Sequence, residues 1–289
     1  MNNLNSLINE ETYITGNTVP IIKFKAFKDI DFINHCFTTR LGGNSNNEFT
    51  SLNLSFSRGD DTKNVEQNYI DLCKDAGFTL KNIVMSDQVH ETTVLNITSD
   101  ILSSMNKSDF KLRKLESVDG MITNIKNVPL FTYYADCVPL YFVDPVKKAI
   151  GLSHSGWRGT AHCMGLKTIN AMKEAFGTNP KDLISVIGPS ICQKCYEVSA
   201  DVIEIMNNEF ITNGIISDTD TSFYYEKENG KFQVDLWRAN YLIIKKAGVL
   251  PHNIHVSGIC TCDKSDLLFS HRASGTKRGN LAAILEIIK

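Results

Sequence analysis

Residues 129–159 read PLFTYYADCVPLYFVDPVKKAIGLSHSGWRG. An apolar strand pattern is interrupted at Asp136 and Cys137, resumes to Pro145, and is followed by a further strand, KKAIGLSH, that ends on His154. The glycine-flanked GWRGT then leads into a predicted helix over 160–176. Working outward, VDGMITN, IVMSDQVH and TTVLNI also read as strands. Val65, Tyr69, Leu72, Cys73 and Ala76 fall at helical spacing, with Gly77 as a stop signal. Residues 20–40 read as two short strands ending at CFTTRLGG, after which NSNNEFTSLNLS reads as a long polar loop. Downstream, LISVIGPS is a strand, helices are expected around 199–210 and 235–247, a strand near 254–258, and a final helix from 279. Strands and helices interleave from end to end, which predicts a single α/β domain.

Composition narrows the function classes. The 289 residues carry 42% hydrophobic and 21% charged side chains, the proportions of a globular chain with a substantial core. Thirty basic against 32 acidic groups leave a net charge of −2, so no global basic field draws the chain to nucleic acid or anionic lipid. No stretch reaches the roughly 18 consecutive apolar residues of a membrane span. MNNLNSLINEETY has no basic start and no apolar core of the kind a secretory signal needs, so a cytoplasmic protein is expected. The eight cysteines are scattered through a chain too long to need disulfide staples, and reduced thiols are expected.

Three segments each deliver one nitrogen or sulfur ligand at an edge: His90 closes MSDQVH, Cys137 interrupts YYADCVPLYF, and His154 closes AIGLSH. Two His and one Cys are a catalytic zinc set, because three protein ligands leave a fourth position for water or substrate. The same inventory serves a metal-free hydrolase or transferase in which Cys137 is a thiolate activated by His90 or His154. A buried Cys is also an ordinary packing residue.

Six separated stretches together resemble the purine nucleoside phosphorylase family, also called laccase-domain or YfiH-like. They are TTRLGGNS with SLNLS and GDD; DQVH; VDGMIT; ADCVPLYFVDP; SHSGWRGTA; and IGPSICQKCYEV, followed by a C-terminal GIC and FSHR. The resemblance implies a layered α-β-β-α sandwich with mixed sheets, taken as one catalytic domain over 21–289 with 1–20 unassigned. It implies a metal centre, usually zinc, on His90, Cys137 and His154. It also implies phosphate-dependent cleavage of adenosine, inosine or guanosine to free base and ribose 1-phosphate, with adenosine deaminase and methylthioadenosine phosphorylase as further activities. Purine nucleosides and phosphate are the partners expected; nothing in the sequence assigns an oligomeric state. Some relatives are linked instead to correction of cell-wall precursors.

Phosphorolysis needs a phosphate held in line with the anomeric carbon. Arg40, before the flexible LGG, and Arg158, at a helix start, are the expected anion holders, with the larger part given to Arg40. Asp136, beside Cys137, is a candidate proton carrier or an orienting partner for a His ligand, and equally a turn cap. A multicopper oxidase is disfavoured, since none of the seven His forms a His-x-His pair. The zinc deaminase signature fails as well: Glu91 directly follows His90, and two residues separate Pro189 from Cys192. Cys192, Cys195, Cys260 and Cys262 are loosely finger-like, although neighbouring reduced thiols are the simpler expectation. Near the C-terminus the family usually shows Thr-Gly-Arg; here Lys277 stands at the glycine position, which puts a substrate role for Arg278 in doubt.

Overall fold

Residues 129–159 fold as two hairpinned strands preceded by a third and followed by a helical turn, with the break at Asp136 and Cys137 where it was expected. The computed structural model describes residues 4–104 and 114–289. In chain order the strands are β1 Thr12–Thr15, β2 Ile21–Phe24, β3 Ile33–Thr38, β4 Val84–Ser86, β5 Val94–Asn96, β6 Lys114–Leu115, β7 Gly120–Thr123 and β8 Leu130–Tyr134. They continue with β9 Val138–Asp144, β10 Ala149–Ser155, β11 Ile184–Ile187, β12 Glu197–Val198, β13 Tyr224–Glu226, β14 Phe232–Val234, β15 Ile254–Val256 and β16 Leu281–Ile287. The helices are α1 Thr62–Ala76, α2 Ser99–Ser104, α3 Trp157–Ala161, α4 Met164–Phe176, α5 Ala200–Thr212, α6 Leu236–Lys246 and α7 His271–Ser274.

A seven-stranded sheet runs β1-β2-β3-β16-β8-β4-β6, a six-stranded sheet β15-β11-β9-β10-β7-β5, and a three-stranded one β12-β14-β13. The two large sheets are mixed and stack face to face. Strand alternation decides the layering. On β9, Tyr141 and Val143 join Phe37, Leu281, Ala283 and Leu285 of the other sheet in one core. The alternate residues Val138, Leu140 and Phe142 face Ile169 and Met172 of α4 and Ile243 and Ile244 of α6. Beneath the seven-stranded sheet, Cys36, Met85, Phe131, Ala282 and Ile284 pack on Val65, Tyr69, Leu72 and Cys73 of α1. The order of layers is therefore helix, sheet, sheet, helix, as the family resemblance implied. The Tyr141 hydroxyl donates to the Cys36 carbonyl at 2.8 Å, a polar tie between the two sheets that satisfies a hydroxyl buried in the core.

α1 forms where its apolar spacing places it. Asp61 caps it by accepting from the Lys63 N–H, and Gly77 ends it in the left-handed region at φ 74°.

The structure corrects three expectations. The segment from 279 is strand β16, not a helix. It lies between β3 and β8 with both faces covered, so every residue from Leu281 to Ile287 is buried. The expected helix over 160–176 is two helices, broken where Cys163 takes a left-handed φ of 59°. The strand expected to reach His90 stops at Ser86, and His90 lies in the loop beyond it at φ 63°. All eight cysteines are free thiols. Among the described residues no helix is long and apolar enough to cross a membrane.

Candidate metal centre and cavity

Three chain segments meet at one end of the sheets: the loop after β4, the junction between β8 and β9, and the end of β10. The antiparallel register pairs His154 with Pro139 and Ser155 with Val138, so Cys137 and Gly156 face one another just past the last rung. His90, Cys137 and His154 bring their donor atoms within 4.8 Å of one another. The His90 and His154 rings meet edge to face, with centroids 4.9 Å apart.

Asp119, which the sequence did not single out, holds the arrangement. It is fully buried immediately before β7. Its Oδ1 accepts from His154 Nδ1 at 2.8 Å, which directs Nε2 toward the other two donors. The same carboxylate accepts the backbone N–H groups of Val89, His90 and Glu91 at 3.2, 3.1 and 3.0 Å. Successive backbone donors converging on one anion form a nest, which offsets the left-handed backbone of His90. Burial alone would raise the Asp119 carboxyl; the hydrogen bond and charge of His154, with the backbone bonds, hold it below the usual range.

Burial would likewise raise the Cys137 thiol, but His154 and His90 beside it bring it down to about 6. His154, which burial alone would lower, is raised to about 9 by Cys137 and Asp119. The trio thus favours a thiolate, the form a metal ligand requires. Gly156 leaves the space: a Cβ there would stand 3.2 Å from both Cys137 Sγ and His90 Cδ2. Two imidazoles, a stabilised thiolate, an oriented His and a cleared wall fit a tetrahedral metal with one position left open. They do not fit a multicopper centre. Of the five other His, only His271 lines the cavity.

The trio sits in a cavity of about 740 Å³ whose wall includes Leu54, Phe56, Tyr133, Ile191 and Tyr196 alongside Arg58, His271, Arg272, Arg278 and Asn280. Arg278 is 7% exposed; its Nη1 donates to the Gly279 carbonyl and to Asn280 Oδ1, while its Nε has no partner. Burial, followed by the like charge of Arg58, lowers it to about 10. Arg58, which is exposed, and Arg278 both line the cavity, and the guanidinium fork is a group suited to binding an oxyanion.

Arg40 and Arg158 do not line this cavity. Arg40 donates through Nε to the Thr50 carbonyl and through Nη1 to the Ser265 carbonyl, both at 2.8 Å, and lies 4.5 Å from the Phe269 ring centroid, contacts that tie two loops together. Arg158 is exposed and stacks on Trp157 at 4.3 Å. Asp136 does line the cavity, at φ 96°, but both its oxygens are engaged. Oδ1 accepts from Thr261 Oγ1 at 2.7 Å and Oδ2 from the Arg272 N–H at 2.6 Å, in the first turn of α7. It thus bonds the first turn of α7, whose N-cap is Ser270.

A family model described as multi-copper polyphenol oxidoreductase laccase matches residues 34–288. The chain is 32% identical over 249 residues to the purine nucleoside phosphorylase YlmD of Bacillus subtilis, covering 86% of each. It is 32% identical over 269 residues to the purine nucleoside phosphorylase of Bacteroides thetaiotaomicron, covering 93% of this chain and 97% of that one. Among solved structures, YlmD from Geobacillus stearothermophilus superposes with a TM-score of 0.85 at 28% identity, over 97% of this chain and all of that one.

Proposed function

The chain belongs to the multi-copper polyphenol oxidoreductase laccase family, and from that premise we propose that it is a zinc-dependent purine nucleoside phosphorylase releasing free base and ribose 1-phosphate. Relatives across most of its length carry the name purine nucleoside phosphorylase. The observation that carries the reading is one cavity holding both the His90, Cys137 and His154 donors and a buried guanidinium with an unspent donor.

In this reading Arg278 and Arg58 seat the phosphate. Each charge-assisted bond is worth roughly 1.5 to 3 kcal/mol, and two guanidiniums hold a dianion against displacement by water. The aromatic and apolar side chains that line the cavity, among them Phe56, Tyr133, Ile191 and Tyr196, would receive the purine, leaving the ribose between base and phosphate. His90, Cys137 and His154 would hold zinc, which when bound supplies a Lewis acid for an oxygen of phosphate, ribose or water. Asp119 fixes His154 and the 89–91 loop, so no ligand has to reorganise as charge develops. Asp136 fixes Arg272 and the first turn of α7.

Methylthioadenosine would present the same base and anomeric carbon. Adenosine deamination would need a proton carrier beside the purine C6, and the engaged oxygens of Asp136 make it a poor one. Incubation of inosine with phosphate should give ribose 1-phosphate and hypoxanthine, and omission of phosphate should stop base release. Equal release without phosphate would identify a hydrolase and remove the role given to Arg278.

A second reading rests on the depressed Cys137 thiol: with His154 it is also the pair a cysteine hydrolase or transferase uses. Full activity of chelator-stripped protein would select it.

A further inference from the structure

We propose that Cys192, Cys195, Cys260 and Asp263 form a second metal site, separate from the cavity, which takes a thiophilic divalent cation such as zinc and fastens together the two loops behind the cavity wall. The donor atoms of these four residues lie within 4.8 Å of one another. Cys195 Sγ is 3.1 Å from one oxygen of Asp263, and Cys192 Sγ is 3.8 Å from the other. The two halves share one spacing, Cys-x-x-Cys over 192–195 and Cys-x-x-Asp over 260–263. The fourth donor is thus Asp263 rather than Cys262, which packs against the core under the helices.

Two backbone N–H groups converge on one of the sulfurs. Cys260 Sγ accepts the N–H of Cys192 at 3.3 Å and that of Asp263 at 3.5 Å. Main-chain donors aimed at a ligand sulfur stabilise its anionic form and fix its direction. The halves are held in register by the Ser190 N–H on the Ile259 carbonyl and the Thr261 N–H on the Ser190 carbonyl, both at 3.1 Å. Three sulfurs and one carboxylate in a closed set of four are the chemistry of a structural zinc site rather than a catalytic one.

The consequence for the cavity is mechanical. The Ile191 N–H donates to the Asp136 carbonyl at 3.0 Å, Thr261 Oγ1 bonds the Asp136 carboxylate, and Arg272 Nη1 donates to the Cys195 carbonyl at 2.8 Å. A cation joining the two loops braces both Asp136 and Arg272 without touching substrate.

The test uses the full chain, stripped of metal and titrated with zinc(II) alone. The background variant Cys137→Ala/His90→Ala, which lacks the cavity site, should still bind one zinc per chain. Adding Asp263→Ala should weaken that zinc tenfold or more, and adding Cys192→Ser/Cys195→Ser should abolish it. A folded background variant that binds none, or whose zinc is indifferent to these changes, overturns the proposal. In the parent chain, alkylation read residue by residue should find Cys192 and Cys195 protected when zinc is bound and reactive after chelation. Equal labelling in both states, or a disulfide among the three cysteines, also overturns it. None of these readouts depends on nucleoside cleavage, so failure of the phosphorylase reading leaves them unchanged.

Discussion

Replacing Asp119 with Asn tests whether a buried carboxylate builds the metal centre. The carboxylate accepts four N–H groups, one from His154 and three from consecutive backbone positions in the 89–91 loop. Asn keeps one acceptor oxygen and turns an NH2 toward donors that need an acceptor. Losing two of the four bonds at about 1.5 kcal/mol each costs about 3 kcal/mol of folding stability. Zinc affinity should fall ten- to a hundredfold, or about 1.4 to 2.7 kcal/mol, because His154 is no longer held in one orientation. Competition against a chelating indicator at neutral pH measures the zinc constant, and urea unfolding of the stripped protein measures stability. The pH dependence has a defined sign. A depressed carboxyl contributes stability above the ordinary Asp range and loses it as pH falls through its lowered value. The parent should therefore lose in acid a contribution that Asp119→Asn never had. A zinc constant within about twofold of the parent, with stability within about 0.5 kcal/mol, would mean that neither His154 nor the loop depends on this carboxylate.

Arg278→Lys keeps the charge but loses the planar fork. It should raise the Michaelis constant for phosphate about ten- to a hundredfold with zinc content unchanged, whereas Arg40→Lys should lower the melting temperature and leave that constant within about twofold. Initial rates against phosphate, with elemental analysis, check both. Gly156→Ala, at an ordinary φ of −67°, should weaken zinc through contact with Cys137 and His90 alone; unchanged affinity would show that the wall yields. Glu286 is buried, with Oε1 unpartnered and its carboxyl raised by burial. Its stabilising contribution is present below the ordinary Glu range and lost as pH rises through the raised value. Glu286→Gln should therefore raise the melting temperature above about pH 7 and much less near about pH 4, as a thermal scan across pH would record.

The hairpin of β9 and β10, α1 and the two long C-terminal helices were legible because each carries its own period and stop signal. β16 was not: LAAILEI is continuously apolar and rich in helix formers, and only its place between β3 and β8 makes it a strand. The grouping of His90, Cys137 and His154 was legible from where apolar runs end in His or Cys, even though His90 sits in a loop beyond its strand. Asp119 was hidden within VDGMIT, read as a strand and as one of the family stretches but not residue by residue. Its signal was an acid set against an apolar run that a second sheet would bury. Arg278 was doubted because Lys277 replaces a glycine, yet its side chain is buried in the cavity wall, while Arg40 lies outside the cavity and bonds backbone carbonyls, a partnership that sequence cannot show. The three-stranded sheet of β12, β13 and β14 went unread, each strand being too short to carry a period.

The most direct measurement is zinc content and phosphate-dependent inosine cleavage determined together on the parent and on Cys137→Ser. The parent should be zinc-loaded, form ribose 1-phosphate, lose activity on stripping and regain it with zinc. The variant should lack both the cavity zinc and the activity. A stripped parent that stays active, or a Cys137→Ser protein that keeps the cavity zinc yet loses activity, would contradict the zinc-dependent reading.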